Sequence, residues 1–186
     1  AAAAGDAVVT MRGVPSDVEE VCFGRAGDGG ILAAAKPGSL LIDMTTSSPR
    51  LAERISRAAE ERGIEALDAP VSGGDVGARD ASLVIMVGGR QEAFDRAVPF
   101  FEQLGKSITL LGPAGNGQRC KLVNQIAVAV GMVAWCEALA VAKAARLDPS
   151  VVQGVIGGGA AKSWGLINLA PRALSEDFKP GFLVRH

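Results

Sequence analysis

Short apolar runs alternate with amphipathic segments over residues 1–114, the pattern of an α/β fold. Ala7–Met11 predicts a strand, and a short helix through Phe23 follows, with Ser16 and Glu19 spaced as a capping box. Ser39–Asp43, bounded by Pro37-Gly38, predicts a second strand. Ser48 reads as an N-cap and Pro49 as the first position of a helix to Arg62, stopped by Gly63. Leu51, Ile55, Ala58 and Ala59 form the inner stripe of that helix, while Glu53, Arg54, Arg57, Glu60 and Glu61 face water. Ala66–Ala69 predicts a third strand leading into a turn at Pro70–Gly74. Leu83–Val87 and Ile108–Leu111 predict two more. Between them a helix over Gln91–Leu104 places Phe94, Ala97, Val98, Phe101 and Leu104 on one face, and Gly105 ends it.

After Gly112-Pro113 the pattern becomes helical. From Gly117 to Arg146 the one breaker is Gly131, which predicts a helix of roughly 30 residues. Asp148-Pro149 caps and opens another, Gly157-Gly158-Gly159 forms a flexible join, and Trp164–Leu174 is helical again. A domain boundary is expected near residues 113–116. The helical part is small and apolar, and is expected to cover its surface with more chain or a second subunit. Ile126–Ala142 is apolar enough to raise the question of a membrane span. Glu137 interrupts it, Gln125 and Lys143 flank it, and alanine and valine dominate, so a buried core helix is expected.

Composition narrows the chemistry. The 186 residues are 48% hydrophobic and 21% charged with a net charge of −1, which leaves no basic surface for nucleic acid or anionic membrane. Aromatics are 4% with no tyrosine, so base-stacking platforms are not expected either. The one histidine is His186, which removes Ser-His-Asp and Cys-His nucleophiles and histidine metal sites. Cys22, Cys120 and Cys136 form no Cys-x-x-Cys pair, and they read as free thiols of a reducing, intracellular compartment. Cys120, beside Lys121, reads as a packed small residue. Ala1–Ala4 lead into Gly-Asp without the basic start of a signal peptide, so a soluble protein is expected.

Four constellations carry candidate chemistry. Asp68-Ala69-Pro70-Val71-Ser72-Gly73-Gly74 ends a strand, where open α/β sheets bind ligands. Its two glycines could let the backbone hold an anion, or could serve an ordinary strand-to-loop turn. Lys121, Asn124 and Gln125 share one helix face. A helical lysine is usually solvated, but apolar surroundings and the positive end of the helix dipole would both lower this amine's pKa toward that of a general acid/base. Gly112–Gly117 matches no P-loop and reads as a hinge into the long helix, with Gly117 admitting a ligand near the backbone. Asp43-Met44-Thr45-Thr46 sets hydroxyls at a strand's carboxyl tip, suited to a cofactor or to capping the next helix. No Gly-x-Gly-x-x-Gly sequence accompanies these segments.

Together these residues resemble the β-hydroxyacid dehydrogenase family, which includes 3-hydroxyisobutyrate dehydrogenases and tartronate semialdehyde (glyoxylate) reductases. The resemblance covers nearly the whole chain. It implies a partial Rossmann-type nucleotide-binding domain at residues 1–114, lacking the first βαβ unit. A partial all-α substrate and dimerisation domain at 115–186 would follow, entered through a long interdomain helix. Val8–Met11 with Pro15 looks like the family's cofactor-lining strand and turn, with Arg12-Gly13 in place of the usual Leu-Pro. Asp43–Pro49 looks like its Asp-Met-Ser-Thr segment. The resemblance thereby implies Met11, Arg12 and Thr46 as contacts of NAD or NADP, and Ser72, Gly73 and Gly74 as holders of a small substrate carboxylate. It implies Lys121 as the acid/base of a reversible hydride transfer, Asn124 as substrate-orienting and Gln125 as a helper. The Asn124-Gln125 pair is similar to the tartronate semialdehyde reductase branch, and Phe178–Phe182 is similar to a segment preceding a Lys-Asp-Leu motif. No metal is implied, and a homodimer or homotetramer through the helical domain is. The expectation is a chain that covers part of a longer protein, or a truncated form. A non-catalytic relative serving binding or assembly is the competing reading, and Lys121 argues against it.

Overall fold

The computed structural model describes residues 5–25 and 29–179, which divide into two compact units, one reaching to Leu122 and one from Val123. In the first unit β1 (Ala7–Thr10), β2 (Leu40–Asp43) and β3 (Glu65–Asp68) run parallel in chain order. Their register places Thr10 opposite Asp43 and Asp43 opposite Asp68, so one transverse row at the carboxyl ends carries a hydroxyl and two carboxylates. β4 (Val71–Ser72) runs antiparallel to β5 (Leu83–Val87), and β5 runs parallel to β6 (Gly105–Leu110). An antiparallel bridge between Asp68 and Gly88, with Met86 N–H donating to the Pro70 carbonyl at 3.0 Å, carries the pairing from β3 across to β5.

Alternation along β2 explains why the sheet is covered on both faces. Leu40 and Ile42 join the core with Ala93, Ala97 and Phe101 of α5 (Gln91–Phe101). Leu41 points the other way, into a core with Val18 and Cys22 of α1 (Pro15–Phe23), Leu32 of α2 (Gly30–Ala34) and Leu51, Ile55 and Ala59 of α3 (Pro49–Glu60). A strand buried on both faces reads as a continuous apolar run, which Leu40-Leu41-Ile42 is. α3 starts as the sequence predicts, with the Ser48 hydroxyl accepting from Leu51 N–H and Pro49 following.

Several local expectations are corrected. Ser16 and Glu19 form no capping box, because Pro15 opens α1 and Val14 takes the N-cap position without a side-chain bond. Gly105 does not stop α5, which ends at Phe101. It begins β6, where a Cβ would run into the Leu83 carbonyl. The turn after β3 contains β4 and leads into α4 (Gly74–Arg79), and neither element was expected. Trp164–Leu174 is two short helices, α8 (Trp164–Asn168) and α9 (Ala170–Leu174). Pro171 has no N–H to continue the first of them.

α6 (Asn116–Ala144) begins in the first unit and supplies the rest of its length to the second, with α7 (Pro149–Gly157), α8 and α9. Trp135 and Leu139 of α6 pack with Leu166 and Ala170 as the small core of that unit. The expectation of a buried core helix is not met among the described residues. Val123, Ile126, Val130, Val133 and Val141 are exposed, and 17% of the most apolar stretch of α6 is buried. By length and composition alone this helix could cross a membrane. The segment at Pro180–Phe182 lies outside the described residues, as does Ala1–Ala4.

Candidate active site

The carboxyl-end row is held by Asp43 and Asp68, both buried. Asp43 Oδ1 accepts from the Thr10 hydroxyl at 2.9 Å and from Thr45 N–H at 3.2 Å. Burial nevertheless raises the Asp43 pKa above the ordinary carboxylate value, and the same cause raises that of Asp68. Thr45 in turn accepts from Arg12 N–H at 2.9 Å through its hydroxyl. The tips of β1 and β2 are therefore tied side by side, leaving Met11 and Arg12 exposed and Thr46 half-buried beside them. The buried Ser47 hydroxyl at this tip has no hydrogen-bond partner among the described residues. An unsatisfied hydroxyl costs about 1–3 kcal/mol, and together with the exposed Met11 and Arg12 it fits a polar ligand such as a dinucleotide.

Asp68 fastens the start of α6 to the sheet. Its Oδ1 accepts from Gly115 N–H at 2.7 Å and its Oδ2 from Gln118 N–H at 2.9 Å. A helix leaves its first N–H groups without internal partners, and this buried carboxylate takes one of them. A Cβ on Gly117 would lie 2.6 Å from the Asp68 carbonyl and 2.8 Å from Oδ2, and one on Gly88 would lie 2.8 Å from Gly117 N. Gly117 is thus required by the junction of protein with protein, correcting the expectation that it admits a ligand. Gly112–Gly117 does serve as the entry to the helix, closed by Asn116 Nδ2 donating to the Leu111 carbonyl at 2.7 Å.

From this anchor Lys121 lies one turn along α6 and is 7% exposed. Its Nζ donates to the Val71 carbonyl at 2.7 Å, which sets it beside Ser72, Gly73 and Gly74. Desolvation lowers its pKa below the ordinary lysine value. Gly73 and Gly74 adopt φ of 131° and 64°, conformations that favour glycine, and a Cβ on Gly74 would meet nothing within 4 Å. Gly74 thus faces open space, whereas a Cβ on Gly73 would lie 3.2 Å from Leu83 Cδ2. Asn124 and Gln125 are half-buried on the next turn of α6 and hydrogen-bond each other at 2.9 Å. Among the described residues no cluster of histidine, cysteine and carboxylate side chains could hold a metal. Sequence reasoning did not single out Asp68, Thr45 or Gln118 for the bonds they make, because their partners are up to 73 residues away.

Parallel strands with hydroxyl- and glycine-bearing tips at their carboxyl ends define a Rossmann-type nucleotide-binding unit. A family model described as the NAD binding domain of 6-phosphogluconate dehydrogenase matches residues 1–112. A second, described as NAD-binding of NADP-dependent 3-hydroxyisobutyrate dehydrogenase, matches residues 115–186. The chain belongs to the β-hydroxyacid dehydrogenase family, whose cofactor is NAD or NADP. It is 54% identical to the uncharacterized oxidoreductase YkwC of Bacillus subtilis, over 97% of this chain and 62% of that one. It is 43% identical to the 2-hydroxy-3-oxopropionate reductase of Escherichia coli, over 97% of this chain and 61% of that one. A 3-hydroxyisobutyrate dehydrogenase structure from Salmonella typhimurium superposes with a TM-score of 0.86 at 29% identity, over 97% of this chain and 62% of the other. The chain therefore spans about three-fifths of the length of these three relatives.

Proposed function

We propose that the protein interconverts a small β-hydroxyacid and its semialdehyde or keto acid, with Lys121 as general acid/base. The carrying observation is the placement of the Lys121 amine, buried and 2.7 Å from the Val71 carbonyl in the Asp68–Gly74 segment. NAD or NADP, when bound, supplies the acceptor or donor of the hydride. Met11, Arg12 and Thr46 are the proposed contacts for it. Ser72, Gly73 and Gly74 bind the substrate carboxylate through hydroxyl and backbone N–H groups, Asn124 orients the substrate, and Gln125 assists. In oxidation the neutral Lys121 amine accepts the proton leaving the substrate hydroxyl. In reduction its ammonium returns that proton to the carbonyl oxygen. A lowered pKa increases the neutral fraction near pH 7, which suits both directions.

The similarity to a 2-hydroxy-3-oxopropionate reductase favours that substrate, which is tartronate semialdehyde, among the family's acids. The domain division proposed is residues 1–114 for the cofactor and 115–186 for substrate and subunit contacts. The uncovered apolar residues of α6 support a homodimer or homotetramer through the helical part. The deciding assay follows NAD(P)H oxidation by the intact protein with tartronate semialdehyde, glyoxylate and succinic semialdehyde, and NAD⁺ reduction with 3-hydroxyisobutyrate. Turnover with one of these acids is expected. Inertness toward all of them would replace the reading with a binding or assembly role.

A further inference from the structure

Gln118 is 1% exposed, and its side chain is committed at both ends. The amide oxygen accepts from Ser47 N–H at 2.7 Å, and the amide nitrogen donates to the Thr45 carbonyl at 2.7 Å. These two bonds bracket a single residue, Thr46, by grasping the backbone groups on either side of it. The Gln118 N–H is itself fixed on Asp68 Oδ2 at 2.9 Å, and Lys121 follows three residues later on the same helix.

We propose that Gln118 is a positioning residue that sets Thr46 at a fixed offset from the Lys121 amine. The proposal rests on the reading that the cofactor sits at Thr46 and that Lys121 handles the proton. It goes beyond that reading by naming what couples the two. The demand is for a side chain that donates and accepts at once. Glutamate keeps the acceptor for Ser47 but sets a carboxylate oxygen against the Thr45 carbonyl, and methionine fills the space with neither function. A mere fastener of the fold would lower thermal stability when removed and leave cofactor affinity and turnover alone. A positioning residue would change the latter two in a folded protein.

The test compares Gln118→Met and Gln118→Glu with the wild type in the intact protein. Dissociation constants for NADH and NADPH come from fluorescence without substrate, beside kcat, substrate KM and Tm. Gln118→Met is expected to weaken dinucleotide binding roughly ten- to thirtyfold, the size of two lost hydrogen bonds. Its kcat is expected to fall at least about tenfold, with substrate KM within about threefold. Gln118→Glu carries a pH signature. Burial raises the pKa of the new carboxyl, and its protonated form regains the donor toward Thr45. Its dinucleotide affinity relative to that of Gln118→Met is therefore expected to rise as pH falls, the comparison cancelling the titration of Asp43, Asp68 and Lys121 that both variants share. Affinity and kcat within about twofold of wild type in both variants, whatever the Tm, would overturn the proposal. Wild-type turnover in a parallel Lys121→Met variant would instead overturn the reading beneath it, and the proposal with it.

Discussion

The Lys121 amine donates a 2.7 Å hydrogen bond to the carbonyl of Val71, 50 residues earlier in the chain. This contact holds the amine at the glycine-bearing turn without neutralising it, since a carbonyl carries no full charge. Lys121→Met is expected to lower kcat by about 10²–10⁴-fold, the usual contribution of a positioned acid/base. Dinucleotide affinity should be retained, and fluorescence titration beside steady-state kinetics checks both.

The same amine gives a pH dependence with a definite sign. Its folded pKa is depressed, so between that value and the unfolded value of about 10.4 the unfolded state binds more protons. The burial penalty is fully present below the folded pKa and is relieved as pH rises through this window. The stability of wild type minus that of Lys121→Met should therefore increase with pH, measured as Tm against pH for both proteins. A flat or falling difference would mean that the amine is not desolvated.

Asp68 accepts from two backbone N–H groups with its two oxygens. Asp68→Asn would turn an NH₂ toward Gly115 N–H or Gln118 N–H and leave that donor unsatisfied. The expected loss is about 1–3 kcal/mol in urea or guanidinium unfolding.

Two glycine substitutions should act in opposite directions. Gly117→Ala puts a methyl 2.6 Å from the Asp68 carbonyl, in a junction with no room to give, and is expected to destabilise strongly. Gly131→Ala lies inside α6 with nothing within 4 Å of the new methyl. It should stabilise by about 0.5–1 kcal/mol through helix propensity. Parallel thermal melts decide the pair.

Cys22 is fully buried, and desolvation, aided by the nearby Asp43, pushes its thiol up to about 12. Iodoacetamide at mildly alkaline pH should leave it unmodified until the first unit unfolds, as peptide mapping of alkylated protein would reveal.

How much of this was legible in the sequence depended on the range of the signals. Ser48-Pro49 and Asp148-Pro149 announced α3 and α7 because caps are local, and Leu83–Val87 announced β5 by its unbroken apolar run. β4 is two residues long and α4 follows a glycine pair, so neither has length enough for a period. At Ser16 a local rule was outweighed by a stronger one, the fixed φ of the preceding proline. Lys121 and the Ser72–Gly74 turn were found as separate motifs. The Val71 carbonyl that joins them, and the Gln118 amide that reaches Thr45 and Ser47, could not be read from spacing. Burial of α6 was misjudged because hydrophobicity says that a helix face wants cover and leaves open whether its own chain provides it.

The bare apolar length of α6 also bears on what a melting temperature of this protein means. If other copies of the chain cover those valines and Ile126, the helical unit owes part of its stability to mass action. Its midpoint should then climb with protein concentration while that of the α/β unit stays put. A single Tm measured at one dilution would describe the sample as much as the molecule.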